Sequence, residues 1–299
     1  MKEHYKAGLM IAIACNSMWG LLPIFWRQLD CVDAYSILAH RIIWSCILMF
    51  IVTLLTQRQR FWADCKLLVT NRKKGAILLG AALLVSLNWL TYIWAVNHGH
   101  VMDTSLGYYI NPLFSVLLGV VVFKEYLIPA KWISIAIAAI GILVMTFFYG
   151  SFPWVSIALF TTFGIYGALK KKLNINPFSS ITLETALVTP LALMYVFFFN
   201  DSSLSYFQGP LTPTAWLLMS AGVATSVPLV LFSYGANMLP LNVLGISQYL
   251  SPTITFFLSM LVFGESFGMA QMIAFTCIWV AVILFVMSEK IPFVRVRTK

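Results

Sequence analysis

A run of about 20 apolar residues is long enough to cross the hydrocarbon of a bilayer as a helix. This chain strings together ten such runs, at about 8–26, 35–55, 75–96, 102–123, 131–149, 152–169, 178–199, 215–237, 241–263 and 268–288. In lipid every backbone N–H and C=O needs an internal partner, which restricts spanning segments to helices and closed barrels. Barrel strands would alternate polarity over about ten residues, and these runs do not. Most connections are short, so consecutive helices are expected to run antiparallel; the longest are 56–74 and 200–214. Composition agrees. Only 10% of the 299 residues are charged and 61% are hydrophobic, whereas soluble domains carry about 25% charged residues. The expected class is an all-α membrane protein of ten transmembrane helices.

The cations orient the chain. With the N-terminus in the cytoplasm, that side receives Lys2 and Lys6, the six basic residues of 58–74, Lys124, Lys131, Lys170, Lys171, Lys172, Lys290, Arg295, Arg297 and Lys299. The opposite side receives only Arg27, and Arg41 falls inside a span. Seventeen against one places both termini in the cytoplasm. The first apolar run follows MKEHYK with no small-residue cleavage site, so it reads as a retained helix. The expected location is a bacterial inner membrane, crossed many times.

The net charge of +9 is dispersed between spans and forms no nucleic-acid surface. Five scattered cysteines, Cys15, Cys31, Cys46, Cys65 and Cys277, show no metal or redox spacing. The segment His98–Gly99–His100–Val101–Met102–Asp103 fits no strong zinc signature. No nucleophile–base set or phosphate loop is present. The expected partners are a small-molecule solute and lipid, with no metal, no cofactor and no catalysis.

An internal repeat adds architecture. Shifted by 140 residues, GYYINPLFSVLLGVVVFKE meets SQYLSPTITFFLSMLVFGE. Tyr109 falls on Tyr249, Pro112 on Pro252, Phe123 on Phe263 and Glu125 on Glu265. Tyr92, Trp94 and Asn97 fall on Phe232, Tyr234 and Asn237. Residues 1–150 and 151–299 are therefore expected to be two five-helix repeats. Five is odd, so the second copy is inverted, as in many secondary transporters.

The matched prolines mark the expected binding depth. Pro112 would free the carbonyl of Tyr108, and Pro252 that of Gln248. Thr104, Tyr108, Asn111 and Ser115 share one helix face, and so do Leu244, Gln248, Ser251 and Thr255. Such polar stripes face protein or a water-filled cavity, because lipid would not satisfy them. Asn16 and Trp19 of the first span, and Asn88, Trp89 and Tyr92 of the third, can join them. Amides, phenols and indoles suit uncharged, zwitterionic or aromatic solutes.

Charged groups inside spans are costly and so informative. Arg41 can act as a counter-charge for a solute carboxylate, pair with Asp30 or Asp33, or snorkel to the interface. Glu184 can carry a coupling proton or pair with the Lys170–Lys172 cluster. Glu125 and Glu265 end their helices and read as boundary residues.

The GYYINP…FKE and SQYLSP…FGE pair resembles the EamA branch of the drug/metabolite transporters. SILAHRIIW around Arg41, NWLTYIWAVNHGHVMDTSLGYYINPL, and ITLETALVTPLAL around Glu184 resemble the RarD-type proteins. The resemblance spans nearly the whole chain. It implies a central cavity between the repeats, alternating access, and a site including Arg41, Asn88, Trp89, Tyr108, Asn111, Gln248 and Tyr249. The expected activity is transport of small organic metabolites or drug-like solutes, with a channel-like permease or a membrane sensor as the alternative.

Overall fold

The computed structural model describes residues 2–98, 101–149, 154–199, 202–208, 210–262 and 268–288. Among them there is no strand. The helices are α1 (Lys2–Trp26), α2 (Ala34–Thr56), α3 (Arg58–Thr70), α4 (Arg72–Asn97), α5 (Val101–Phe123) and α6 (Pro129–Tyr149). They continue with α7 (Trp154–Leu173), α8 (Pro177–Phe198), α9 (Pro213–Met238), α10 (Leu241–Ser247), α11 (Leu250–Leu261) and α12 (Met269–Ser288). Short 3-10 turns occupy Arg27–Leu29 and Ser202–Phe207.

Among the described residues, five helical stretches are long and apolar enough to cross a bilayer: Glu3–Leu29, Ala34–Thr56, Arg72–Ala95, Pro177–Phe198 and Pro213–Met238. Shorter apolar stretches lie at Gly107–Phe123, Pro129–Val144 and Met272–Ser288. Local chemistry sets several starts. Asp33 accepts hydrogen bonds from the Tyr35 and Ser36 amides at 3.0 and 3.1 Å and so caps α2. Asn176 caps α8 in the same way, with Pro177 at the first helical position. Thr212 caps α9 through the Ala215 amide.

Two elements depart from the sequence expectation. The long connection 56–74 contains α3, an amphipathic helix. Phe61 and Leu68, seven apart, are buried on its inner face, while Trp62 and Val69 are exposed. The ninth apolar run is broken: α10 ends at Ser247 and α11 starts at Leu250. The break precedes Pro252, and the Gln248 carbonyl accepts from the Ser251 amide at 3.2 Å in a tightened turn. Pro112 leaves α5 continuous. Matched prolines thus have unequal effects. The assignments at Glu265, at the 150/151 boundary and in the tail beyond Ser288 lie outside the described residues.

The helices pack in two groups. In one, α1 and α2 lie on α9, and α1 also lies on α11; in the other, α4 and α5 lie on α7, and α4 also lies on α8. The groups meet along α2–α8 and α5–α10, with α6 against α12. Two glycines fix close approaches. A Cβ on Gly20 would stand 2.7 Å from the Ile254 Cβ and 2.9 Å from the Ser251 carbonyl oxygen. A Cβ on Gly164 would run into the Phe114 ring and stand 3.6 Å from the Asn111 Oδ1. Residues 114 and 111 are the 140-shifted counterparts of 254 and 251.

Candidate functional site

Arg41 lies two helical turns inside α2, at the seam between the helix groups. Its Nε donates to the Thr225 hydroxyl of α9 at 3.0 Å. The guanidinium stands 4.6 Å from the centre of the Trp26 ring of α1 and 5.2 Å from that of Trp89 of α4. Tyr92 and Tyr108 complete the surround, their ring centres 5.9 Å apart, and both are electrostatic neighbours of Arg41. Trp26, Arg41 and Thr225 come from one helix group; Trp89, Tyr92 and Tyr108 come from the other. Tyr108 is 44% exposed although Arg41 and Tyr92 flank it.

The alternative pairing of Arg41 with Asp30 or Asp33 does not occur. Asp33 is occupied in capping α2, and the Tyr195 hydroxyl donates to it at 3.2 Å. Among the described residues no carboxylate stands within ion-pair distance of Arg41. Its neighbour His40 is buried elsewhere, stacked on Phe207 with ring centres 5.2 Å apart.

Deeper along the seam, the Asn111 amide donates to the Gln248 side-chain oxygen, joining α5 to the break between α10 and α11. The crossing is tight here: a Cβ on Gly245 would stand 2.9 Å from the Pro112 carbonyl oxygen. Thr104, Asn111 and Ser115 of this stripe are buried, and Tyr108 is its exposed member.

The other expected residues divide. Asn88 donates to the Leu159 carbonyl and to the Thr162 hydroxyl, both at 2.9 Å, and so binds α4 to α7. Asn16 donates to the Ala12 carbonyl at 2.7 Å and to Ser247 at 3.3 Å. Ser251 lies at the Gly20 approach. Tyr109 and Tyr249 are not brought to Arg41; they are buried in an apolar cluster with Val116, Ile246 and Phe275. Tyr109 on α5 and Tyr249 in the break before α11 pack there against residues of α6 and α12.

Trp19 joins a different cluster. Its ring centre is 5.7 Å from Phe163 and 5.5 Å from Phe232, and Phe232 stacks on Tyr166 at 6.0 Å and 12°. These rings close the seam between α1, α7 and α9. Behind them Glu184 accepts from Lys170 Nζ at 2.6 Å, from the Ser180 hydroxyl at 2.7 Å and from the Tyr166 hydroxyl at 3.1 Å. The pair is buried, so its charges are compensated internally. Glu184 stands eight residues past its cap Asn176, as Arg41 stands eight past Asp33.

The seam is also tied at the end where α1 begins. The Glu125 carboxylate accepts from the Leu241 and Asn242 amides at 2.6 and 2.8 Å. Lys171 stands 3.6 Å from Glu125 and donates to the Leu239 carbonyl. Asn237 donates to the Ile175 carbonyl at 3.0 Å. A separate cavity of about 390 Å³ lies nearby, lined by Arg60, Asp64, Asn174, Asn176, Tyr234 and Asn237 among others. It gathers none of the expected site residues. Among the described residues no cluster of three metal-ligating side chains occurs.

Sequence reasoning missed Trp26, Thr225 and the Phe163–Tyr166–Phe232 closure. Trp26 and Thr225 are unremarkable within their own helices and matter only because Arg41 reaches them.

The EamA-like transporter family matches this chain twice, at residues 6–147 and 153–287. The chain belongs to that family. Within it, the chain is of the RarD type. It is 38% identical over 286 residues to the "Protein RarD" of Salmonella typhimurium, and 36% identical over 287 residues to that of Escherichia coli, with 96% of each chain covered in both cases. It is 42% identical over 288 residues to "Uncharacterized transporter YojE" of Bacillus subtilis, covering 95% of both chains. A crystal structure of a protein only 13% identical superposes with a TM-score of 0.71, covering 96% of this chain and 99% of that one, which extends the likeness to the whole fold.

Proposed function

We propose that this EamA-family protein is a secondary transporter that carries small organic solutes across a bacterial inner membrane by alternating access. One observation carries the reading: an intramembrane guanidinium without a carboxylate partner among the described residues lies between aromatic rings supplied by both helix groups. A charge at that depth is costly unless it lines a hydrated path or meets a ligand.

Ten spans in two inverted five-helix repeats underlie the mechanism. The two family matches support the repeat, and so does the packing. Exchanging the halves turns α5 on α7 into α11 on α1, α4 on α7 into α9 on α1, and α2 on α9 into α8 on α4. The matched approaches at Gly20 and Gly164 follow the same exchange. With both termini in the cytoplasm, Arg41 opens toward the periplasm, while the ring closure and the Glu125 and Lys171 ties seal the cytoplasmic end. This is the outward-facing state. Rocking of the groups about the Asn111–Gln248 crossing would open the other end.

Counterflow in proteoliposomes tests the function, using a panel of amino acids, nucleosides, quaternary amines, phenicols and aromatic acids. Saturable exchange that Arg41→Gln and Tyr108→Ala reduce, at unchanged protein abundance, is the expected result. Full activity in both variants removes the site. A tag beside Ser202 is expected in the periplasm; a cytoplasmic tag reverses the topology.

A further inference from the structure

Resting on that transport reading, we propose that the Arg41 site selects planar organic monoanions: a carboxylate on the guanidinium fork, with a flat aromatic or conjugated body laid against the surrounding rings. Aromatic monocarboxylic acids are the simplest members of the class.

A guanidinium offers five N–H groups in a rigid plane. Thr225 takes the one on Nε and thereby fixes the plane. The Nη groups meet no acceptor among the described residues. Their parallel N–H bonds match the two oxygens of a carboxylate, and such a charge-assisted pair is among the stronger interactions in proteins.

The count of charges sets the valence. The described surround holds one cation and no anion: Trp26, Trp89, Tyr92, Tyr108 and Thr225 are all neutral. A second carboxylate on the solute would be desolvated without a partner, which costs more than its attraction to the shared Arg41 returns. An ammonium on the solute would lie beside Arg41 with no carboxylate to balance it. The site therefore ranks a monoanion above a zwitterion, a dianion, and the neutral or cationic isostere.

The rings set the shape. Trp26 and Trp89 stand over the guanidinium from opposite helix groups, and Tyr92 and Tyr108 form an adjacent pair. Aromatic surfaces of this kind receive flat apolar bodies by offset or edge-on packing. A solute that engages Arg41 and Trp89 together bridges both groups, so its binding is coupled to their relative position.

Binding to purified protein in lipid nanodiscs, followed by calorimetry and tryptophan fluorescence, tests the assignment. The probes are phenylacetate, its neutral isostere phenylacetamide, its cationic isostere phenethylamine, zwitterionic L-phenylalanine, and acetate. Phenylacetate is expected to bind about ten- to a hundredfold more tightly than phenylacetamide or L-phenylalanine, the range of a charged hydrogen-bonded pair. Arg41→Gln is expected to abolish that preference. Arg41→Lys, which keeps the charge and loses the fork, is expected to retain part of it and controls for folding. Trp89→Leu is expected to weaken phenylacetate and leave acetate unchanged. Equal binding of phenylacetate and its amide, tighter binding of L-phenylalanine, or an undiminished preference in Arg41→Gln overturns the proposal. Selective phenylacetate binding without phenylacetate counterflow would uphold the site and reject transport.

Discussion

Gly20→Ala places a methyl where α1 and α11 nearly touch. The new Cβ would stand 2.7 Å from the Ile254 Cβ and 2.9 Å from the Ser251 carbonyl oxygen. Carbon atoms rest at about 3.5–4.0 Å, so α11 must withdraw by roughly 1 Å, and neither obstacle is a mobile side-chain end. Overpacking of this kind costs about 1–3 kcal/mol. At about 2–4 °C per kcal/mol for large chains, the thermal midpoint in detergent should fall by roughly 2–12 °C. The counterpart Gly164→Ala meets ring atoms of Phe114, 2.9 Å from Cε1 and closer still to Cδ1. Those atoms can be removed by mutation. Double-mutant cycles separate the cases. Gly164→Ala with Phe114→Ala should show a favourable coupling of about 1 kcal/mol or more, because alanine lacks the offending ring. Gly20→Ala with Ile254→Ala should show little, because alanine keeps the Cβ and the backbone oxygen stays. Tryptophan fluorescence melts at one scan rate give the values. A Gly20→Ala protein as stable as wild type, or full rescue by Ile254→Ala, would refute the α1–α11 approach.

Asp33→Ala removes the cap of α2 and should cost about 0.5–2 kcal/mol, while Asp33→Asn keeps most of it; the same melts read both. Lys170→Met leaves the Glu184 carboxylate buried without its cation and should cost about 3–5 kcal/mol, most of it recovered by adding Glu184→Gln. Denaturation of the single and double variants measures that recovery, and none would show the pair to be unimportant. Glu125→Ala releases the Leu241 and Asn242 amides and Lys171 together. Spin labels on Lys6→Cys and Lys172→Cys, across the tied end, should then report a longer and broader distance distribution.

Much of this was legible because lipid imposes simple rules. Segments of about 20 apolar residues must be helices, and the 140-residue register alone pairs Ile254 with Phe114. Pairing of Glu184 with the Lys170–Lys172 cluster was one of two readings the sequence left open, and the fold selects Lys170. Other features were hidden. The inner face of α3 shows a seven-residue spacing, Phe61 to Leu68, that the basic residues around it obscured. The break at Gln248–Tyr249 lies at the α5–α10 crossing, where Asn111 meets Gln248, and the equivalent proline in α5 produces no break, so the proline alone does not encode it.

The sequence by itself determined the helical class, the family, and the candidate status of Arg41, because burying charge in hydrocarbon is costly wherever the helix lies. Only the tertiary structure decided what surrounds that charge. Trp26, Trp89, Tyr108 and Thr225 lie on four other helices, and no spacing along the chain encodes how those helices rotate against one another. That rotation is set by the total packing of the two groups, through close approaches such as those at Gly20, Gly164 and Gly245. It sends Tyr109 and Tyr249 into the core, leaves Tyr108 exposed beside Arg41, and gathers rings from both groups around an isolated arginine.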